Sequence, residues 1–118
     1  YPSFYSIKSG IFGLEKIDSV NEIVKTYLSN KAFGLSSSIL VSNPIPKKHE
    51  IPFDEMTKVV YTACRKANAK KITGKDLTPF LLEEVVKLTK GKSLKVNIHL
   101  ALNNIKLGIK VLNRLFGS

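Results

Sequence analysis

Two asparagines in one apolar segment are the residues of this sequence whose types and spacing best suit chemistry. Asn97 and Asn104 stand seven residues apart in "SLKVNIHLALNN". At about 100° per residue of a helix, they share one face with Ala101 and Gly108. A carboxamide both donates and accepts hydrogen bonds, so it can bind a substrate oxygen or a ring N–H. The pattern also fits a structural role in which backbone groups satisfy both amides, because a buried unsatisfied amide costs about 1–3 kcal/mol.

The other residue types that carry chemistry are sparse. Cys64 is the single cysteine, so the sequence contains neither an internal disulfide pair nor a cysteine metal cluster. It falls on an apolar helical stripe, which assigns it to the core. His49 and His99 are isolated in the sequence and are expected to be surface or packing residues. The sequence shows no local group of His, Asp and Glu with metal-ligand spacing.

The excess of basic residues suggests a different class of function, which is binding to an anionic partner. The chain has 118 residues, with 19 Lys plus Arg against 9 Asp plus Glu and a formal charge of +10. Such an excess favours nucleic acid, phosphorylated ligands or an anionic membrane as partners. The basic residues are spread over all helices and are not interleaved with aromatic residues, so solvated lysine faces are the better interpretation. A nucleic-acid-binding module is kept as an alternative.

The chain has the size of one domain and no apolar run long enough to cross a bilayer. The opening "YPSFYSIKSG" lacks the pattern of a secretory signal. We therefore expect a cytoplasmic protein, or one in an organelle if a signal lies on a preceding segment.

Local signals predict the first half of the fold. Ser19 and Glu22 form a capping-box pattern that starts a helix, and Gly34 is suited to end it in a left-handed conformation. The apolar run in "SSSILVSNPIP" predicts a short buried strand over Ser38 to Ser42. A second helix is expected to begin near Phe53.

Two further helices are predicted in the second half. Thr78 is expected to cap the third helix, with Pro79 at its first position. Ser93 is expected to cap a long final helix from about Leu94 to Leu115. The fold class indicated is α/β, mostly helical in this segment with one or two short strands, and so part of a layered fold, because one or two strands make a marginal sheet by themselves.

Several motifs together resemble the pseudouridine-5'-phosphate glycosidase family, also called indigoidine synthase A-like proteins. "YPSFYSIKSG" is similar to the family's FPAFY-x-R-x-SG, and "FGLSSSILVSNPIP" to its LGL-x-x-G-x-LVANPIP. "TGKDLTPFLLEEVVKLTKGKSL" and "NIHLALNN" resemble G-K-x-x-TPFLL-x-x-x-x-x-LT-x-G-x-SL and NI-x-L-x-x-NN. The match is collinear along the whole chain, so residues 1–118 resemble the C-terminal portion of the single family domain.

The resemblance implies an enzyme that cleaves the C–C glycosidic bond of pseudouridine 5'-phosphate to uracil and ribose 5-phosphate. It implies an α/β/α sandwich that assembles as a homotrimer. It also implies a lysine that forms a Schiff base with the opened sugar, a glutamate proton donor and an aspartate that helps to hold Mn2+. By the family's layout, these three residues lie upstream of Tyr1. We therefore expect this chain to complete the active site and to be inactive alone.

The resemblance implies site roles for two residues of this chain. Asn97 occupies the position of the family's active-site asparagine, and Asn104 is the next candidate, as a substrate-binding residue. Ile7 stands where the family often has Arg, and Ser36 to Ser38 replace a glycine-rich entry to the strand. These departures fit either a diverged active enzyme or a catalytically inactive structural remnant.

Overall fold

The computed structural model describes residues 2–117. Four α-helices account for most of this part of the chain: α1 (Val20–Ala32), α2 (Phe53–Ala69), α3 (Leu77–Leu88) and α4 (Lys92–Phe116). Short 3-10 turns over Lys47–His49 and Gly74–Asp76 precede α2 and α3. None of these helices combines the length and the apolar character needed to cross a bilayer.

The ends of α1 follow the local signals in the sequence. The Ser19 hydroxyl accepts a hydrogen bond from the Glu22 N–H, and the Glu22 carboxylate accepts one from the Ser19 N–H. At the other end Gly34 has a φ of 71°, and the N–H of Leu35 donates to the carbonyl of Asn30 over 2.9 Å. The predicted capping box and the predicted glycine stop are both confirmed, because each depends only on residues close in sequence.

The predicted caps of α3 and α4 are wrong. The 3-10 turn brings the start of α3 forward to Leu77, so Thr78 and Pro79 lie inside its first turn. Pro79 is tolerated there because the N–H groups of a first turn have no intrahelical acceptor. Ser93 is buried inside α4, which begins at Lys92 after Gly91 in a left-handed conformation. The Thr89 hydroxyl lies 2.9 Å from the Ser93 hydroxyl and accepts from the Ser93 N–H, and so joins the end of α3 to the start of α4.

The predicted strand over Ser38 to Ser42 is also wrong, and no strand is present within residues 2–117. The segment is irregular and its apolar side chains are exposed, Leu40 to 89%. A strand needs a neighbour to accept and donate its backbone hydrogen bonds. No part of residues 2–117 provides one, so the one or two short strands of the predicted α/β class are not formed here.

The core is small and lies where α2, α3 and the first half of α4 meet the segment that precedes α2. Its buried members are Ile45, Ile51, Met56, Ala63, Val85, Val96 and Leu100. Cys64 is only partly buried and is not among the core members, so its predicted place in the core is wrong. The N-terminal segment joins it through the N–H of Ile51, which donates to the carbonyl of Tyr5 over 3.0 Å.

The overall shape is elongated. The radius of gyration is 17.7 Å and the extents are 53 × 30 × 23 Å, whereas a compact domain of this length has a radius of gyration of about 13–14 Å. Helix α1 packs on α4, α4 packs on α3, and α3 packs on α2. Large parts of their surfaces therefore have no neighbour within the described chain.

Candidate functional site

The candidate site is built on α4, whose polar positions divide into two strips. Asn97, Ala101, Asn104 and Gly108 share one strip, as the helical spacing predicts, and all four are exposed. The second strip is basic and also exposed, and consists of Lys95, Lys106, Lys110 and Arg114. The small polar strip therefore faces away from the core of the described chain.

Asn97 is the most available polar group on this strip. Its side chain is exposed and makes no hydrogen bond to any residue between 2 and 117. A carboxamide fixed on a helix in this state can donate through Nδ2 and accept through Oδ1. Its full hydrogen-bonding capacity is therefore available to a ligand or to another chain segment.

Asn104 is engaged by its neighbour across the chain. Its Oδ1 accepts a hydrogen bond from Nδ2 of Asn43 over 3.1 Å. Asn104 lies about 10 Å along the helix axis from Asn97. One half of the Asn104 amide thus has a structural partner, and the Nδ2 group is the half that remains for a ligand.

Asn103 is a positioning residue that the sequence reasoning missed. Its Nδ2 donates to the carbonyl of Pro44 over 3.0 Å. Together with the bond between Asn43 and Asn104, this fixes the start of residues 43–51, here called the arm, along α4. The adjacent pair of asparagines and the double-proline segment were the available signals, but nothing in the sequence showed that they meet.

The two histidines form the third contact between the arm and α4. The rings of His49 and His99 are stacked, with centroids 3.5 Å apart and an angle of 8° between their planes. The prediction that each is a surface or packing residue is confirmed, and nothing in the sequence indicated that the two rings pack against each other. Desolvation of the ring, and then the nearby His99 and Lys48, lower the pKa of His49.

The other side of the arm is held by the core. Ile45 and Ile51 are fully buried, at 1% and 0% exposure. The Glu50 carboxylate accepts from the N–H of Ile7 over 2.9 Å. Ile7 is a half-buried packing residue whose backbone is tied to the arm.

Glu84 is a buried carboxylate away from this site. Lys66 lies 2.7 Å from one of its oxygens and Lys87 lies 3.5 Å from the other. The hydrogen bond from Lys66 is the main reason that the pKa of Glu84 lies below its ordinary value. This pairing connects α2 to α3 and leaves the carboxylate without a free role in proton transfer.

Two open grooves lie within residues 2–117, both away from Asn97. An open groove of about 480 Å³ lies between the turn at Lys71–Thr73 and the start of α3, and another of about 340 Å³ lies between α1 and the segment Leu35–Ile39. Ser36 to Ser38 line the second groove. Neither groove is lined by Asn97 or Asn104.

The donor groups for a metal ion do not converge in the described part of the chain. Among residues 2–117, no three side chains of His, Cys, Asp or Glu come together in a way that could hold a cation. The residues present therefore do not fit a manganese site, and no chemical step of this chain is assigned to a metal.

Comparison with known proteins shows similarity along almost the whole chain. The family model of indigoidine synthase A like protein matches residues 1–113. A pseudouridine-5'-phosphate glycosidase from Petrotoga mobilis is 41% identical over 110 residues, which cover 93% of this chain and 36% of that protein. One from Clostridium botulinum is 39% identical over 104 residues, covering 88% of this chain and 34% of that protein.

The backbone is similar to a solved structure as well. The indigoidine synthase A-like protein from Thermotoga maritima superposes with a TM-score of 0.78 and 35% identity, over 97% of this chain and 37% of that one. The chain thus spans just over a third of the length of the proteins that it matches.

Proposed function

Because this chain belongs to the family of indigoidine synthase A like proteins, we propose that it forms part of a pseudouridine-5'-phosphate glycosidase. The observation that carries the proposal is the identity of about 40% over nearly all of the chain to proteins with that name. The similar backbone of the Thermotoga maritima protein supports it. The family predicted from the sequence motifs is confirmed, and the activity is the proposal.

The proposed reaction cleaves a carbon–carbon bond. Uracil is attached to the sugar through carbon, so protonation of a bridging oxygen cannot release it as in ordinary glycosidases. A lysine amine adds to C1' of the opened sugar, and its nitrogen lone pair then drives the departure of uracil C5 with the bonding electrons while a Schiff base forms at C1'. Water hydrolyses the Schiff base and releases ribose 5-phosphate. A glutamate supplies the proton to uracil. In this proposal the lysine and the glutamate, with the aspartate that helps to hold Mn2+, lie outside these 118 residues.

The role proposed for Asn97 is to bind the substrate at the reacting end. Its exposed carboxamide has no partner within residues 2–117 and can pair with a sugar hydroxyl or with an amide edge of uracil. Its position in "NIHLALNN" matches the family pattern. The rigid helix α4 would hold the amide in place when the remainder of the site is present.

Asn104 is proposed to bind the substrate through Nδ2 alone. Its Oδ1 accepts from Asn43, so the orientation of the amide is set before a ligand arrives. This arrangement favours an acceptor on the ligand, such as a phosphate or sugar oxygen.

The larger context of the chain is also part of the proposal. We place residues 1–118 as the C-terminal portion of a single α/β/α sandwich domain that assembles as a homotrimer and acts in the cytoplasm or in an organelle. The strands of the sandwich would then come from the part of the domain that this chain does not contain.

The test is uracil release by a chimera. The part of the Petrotoga mobilis relative that this chain does not match is joined ahead of this chain, in the order that the resemblance implies. We expect the chimera to release uracil from pseudouridine 5'-phosphate in the presence of Mn2+. The unmatched part alone is the control, and the intact relative is the positive reference. A folded chimera without uracil release, beside an active reference, would overturn the proposed function for this chain.

Ile7 departs from the family motif, and replacing it can distinguish an active relative from an inactive structural remnant. The Ile7 side chain packs against the core and provides no positive charge for an anion. If the chimera is folded and inactive, Ile7→Arg tests whether the missing charge is the cause. Recovered uracil release would assign the defect to phosphate binding, and continued inactivity would support the structural remnant.

A further inference from the structure

The long helix α4 has a second apolar face that nothing in residues 2–117 covers. Six large apolar side chains recur at alternating intervals of four and three residues and lie within about 80° around the helix axis. We call this row the seam, and its members are Ile98, Leu102, Ile105, Ile109, Leu112 and Phe116. They are between 47% and 78% exposed.

The opposite side of α4 already has its packing partners. Val96 and Leu100 are buried, and Leu107, Val111 and Leu115 are half-buried on that side. A helix that is apolar on two opposite sides is typical of the interior of a larger fold. The seam is therefore a second packing surface and not part of the existing core.

The accessible surface area of the whole chain also indicates that a packing partner is missing. Its accessible surface is 9139 Å², whereas a compact protein of this size exposes about 6,400 Å². The difference, about 2,700 Å² on this chain alone, is larger than the roughly 800 Å² that each partner buries in a standard interface. A surface of this size has room for a folded partner and is much larger than a peptide or a small molecule would cover.

We propose that the seam is the docking surface for the remaining part of the family fold, that is, a polypeptide with the portion of the relatives that this chain does not match. The Petrotoga mobilis relative extends well beyond the matched region, since that region is 36% of its length. The Thermotoga maritima structure carries the same backbone as 37% of a longer chain. In that solved structure, the backbone that resembles this chain is therefore accompanied by the rest of the fold.

The charges beside the seam favour this occupant over a second copy of the chain. The basic strip of α4 runs along one edge of the seam. Two copies that paired antiparallel through their seams would bring two such strips close together, in chains that each carry a charge of +10. Like charges at the edges of a helix pair are destabilising, so the partner's matching edge should be neutral or acidic.

The other edge of the seam carries Asn97, which links the docking surface to the proposed function. The small polar strip follows this edge around the helix axis, so a polypeptide seated on the seam lies beside the Asn97 amide. The inference rests on the proposed function in this respect: the site at Asn97 becomes complete only when the seam is covered.

The test compares thermal unfolding of the free chain with that of the Petrotoga chimera described above. The seam variant combines Ile105→Gln with Ile109→Gln. The matched control combines Lys106→Gln with Lys110→Gln, which places the same side chains one position further along the helix. In the free chain the seam variant should leave Tm nearly unchanged, because both side chains are half exposed or more. In the chimera it should lower Tm by more than about 5 °C, and the control should not.

A second measurement follows docking directly. A tagged form of this chain is produced together with the unmatched part of the Petrotoga relative as a separate polypeptide. We expect capture in equal amounts, and at least about tenfold weaker capture by the seam variant, as a loss of about 1.4 kcal/mol or more would give.

The outcomes separate this inference from the proposed function. Equal Tm of the seam variant and the control in the chimera would overturn the inference, even if the chimera releases uracil. A seam-paired homodimer of this chain that persists beside the Petrotoga segment would overturn it as well. A seam-dependent chimera or complex that releases no uracil would support the inference and overturn the proposed function. Uracil release by the free chain would show that no partner is needed and would overturn the inference alone.

Discussion

The imidazole of His49 lies flat against that of His99, although the two residues are fifty positions apart in the sequence. Their ring centroids are 3.5 Å apart. The stack joins the arm to α4 beside the hydrogen bond from Asn103 to the Pro44 carbonyl. Two neutral imidazoles stack favourably, whereas two imidazolium ions repel each other at this distance. The attachment of the arm should therefore depend on pH.

The stability of the arm should fall as the pH drops below the ordinary histidine value. The pKa of His49 is lowered from 6.5, first by desolvation of its ring and then by the nearby His99 and Lys48. The unfolded chain consequently binds a proton at His49 more readily than the folded chain does. Stability is then full above pH 6.5 and is lost as the pH falls from 6.5 to the lowered pKa. Thermal unfolding between pH 5 and 8 measures this, and His49→Phe should reduce the slope. An unchanged slope in that variant would exclude the stack as its source.

Glu84 should matter more to stability than its neighbour Glu83. The Glu84 side chain is 7% exposed and bonded to Lys66 and Lys87, whereas that of Glu83 is 65% exposed. Glu84→Gln removes the charge that both lysines face, so Tm should fall clearly more than for Glu83→Gln. Because the pKa of Glu84 is lowered from 4.5, its contribution is present above that pH and is lost as the pH falls through the lowered pKa. Similar Tm values for the two variants would show that the ion pairs between α2 and α3 add nothing.

Two leucines on α4 should differ sharply when they are truncated. Leu100 is 8% exposed in the core and Leu102 is 47% exposed on the seam. Leu100→Ala should lower the free energy of unfolding by about 2–4 kcal/mol, because it leaves a cavity. Leu102→Ala should cost roughly 0.5 kcal/mol or less in the free chain. Urea denaturation of both variants checks the difference, and equal losses would contradict the assignment of the two faces.

Asn97→Ala should impair the chimera without weakening its fold. Loss of a hydrogen bond to the reacting substrate should reduce kcat/KM for uracil release by about ten- to hundredfold. Asn113→Ala on the same helix is the matched control, since that side chain is also exposed. If Asn97→Ala retains full activity, the proposed site role belongs to another residue.

Asn103→Ala should affect the attachment of the arm to α4 more than the reaction itself. The side chain holds the Pro44 carbonyl, so its loss should loosen the arm and speed amide hydrogen exchange over residues 43–51. Ala at the neighbouring exposed position Leu102 is a suitable comparison. Unchanged exchange in the arm would mean that the buried Ile45 and Ile51 are enough to hold it.

The sequence was most informative where a feature depends on nearby residues. The capping box at Ser19, the glycine stop at Gly34 and the angular order of residues on α4 all follow from local spacing. The caps at Thr78 and Ser93 were wrong because the 3-10 turn and the left-handed Gly91 begin those helices earlier. Asp76 and Gly91 stand at the N-cap positions of these helices, and neither makes a side-chain capping hydrogen bond.

The long-range features could not be predicted in the same way. The strand over Ser38 to Ser42 was wrong because a strand depends on a partner that residues 2–117 do not provide. The stack of His49 on His99, and the bonds of Asn103 and Asn104 to the arm, join positions more than forty residues apart. No periodicity reports such pairs, so the candidate site could be located on α4 but its supports could not.

The exposed segment over Ser36 to Ser42 has a consequence for the handling of the free chain. It consists of seven residues with no charge, no proline and no glycine, and its apolar side chains have high β-propensity. Segments of this kind form intermolecular cross-β contacts when their backbone groups are unpaired. The charge of +10 keeps copies apart at low ionic strength. Added salt screens this repulsion within a Debye length of about 10 Å at 0.1 M, so the colloidal lifetime of the isolated chain should shorten as salt is raised.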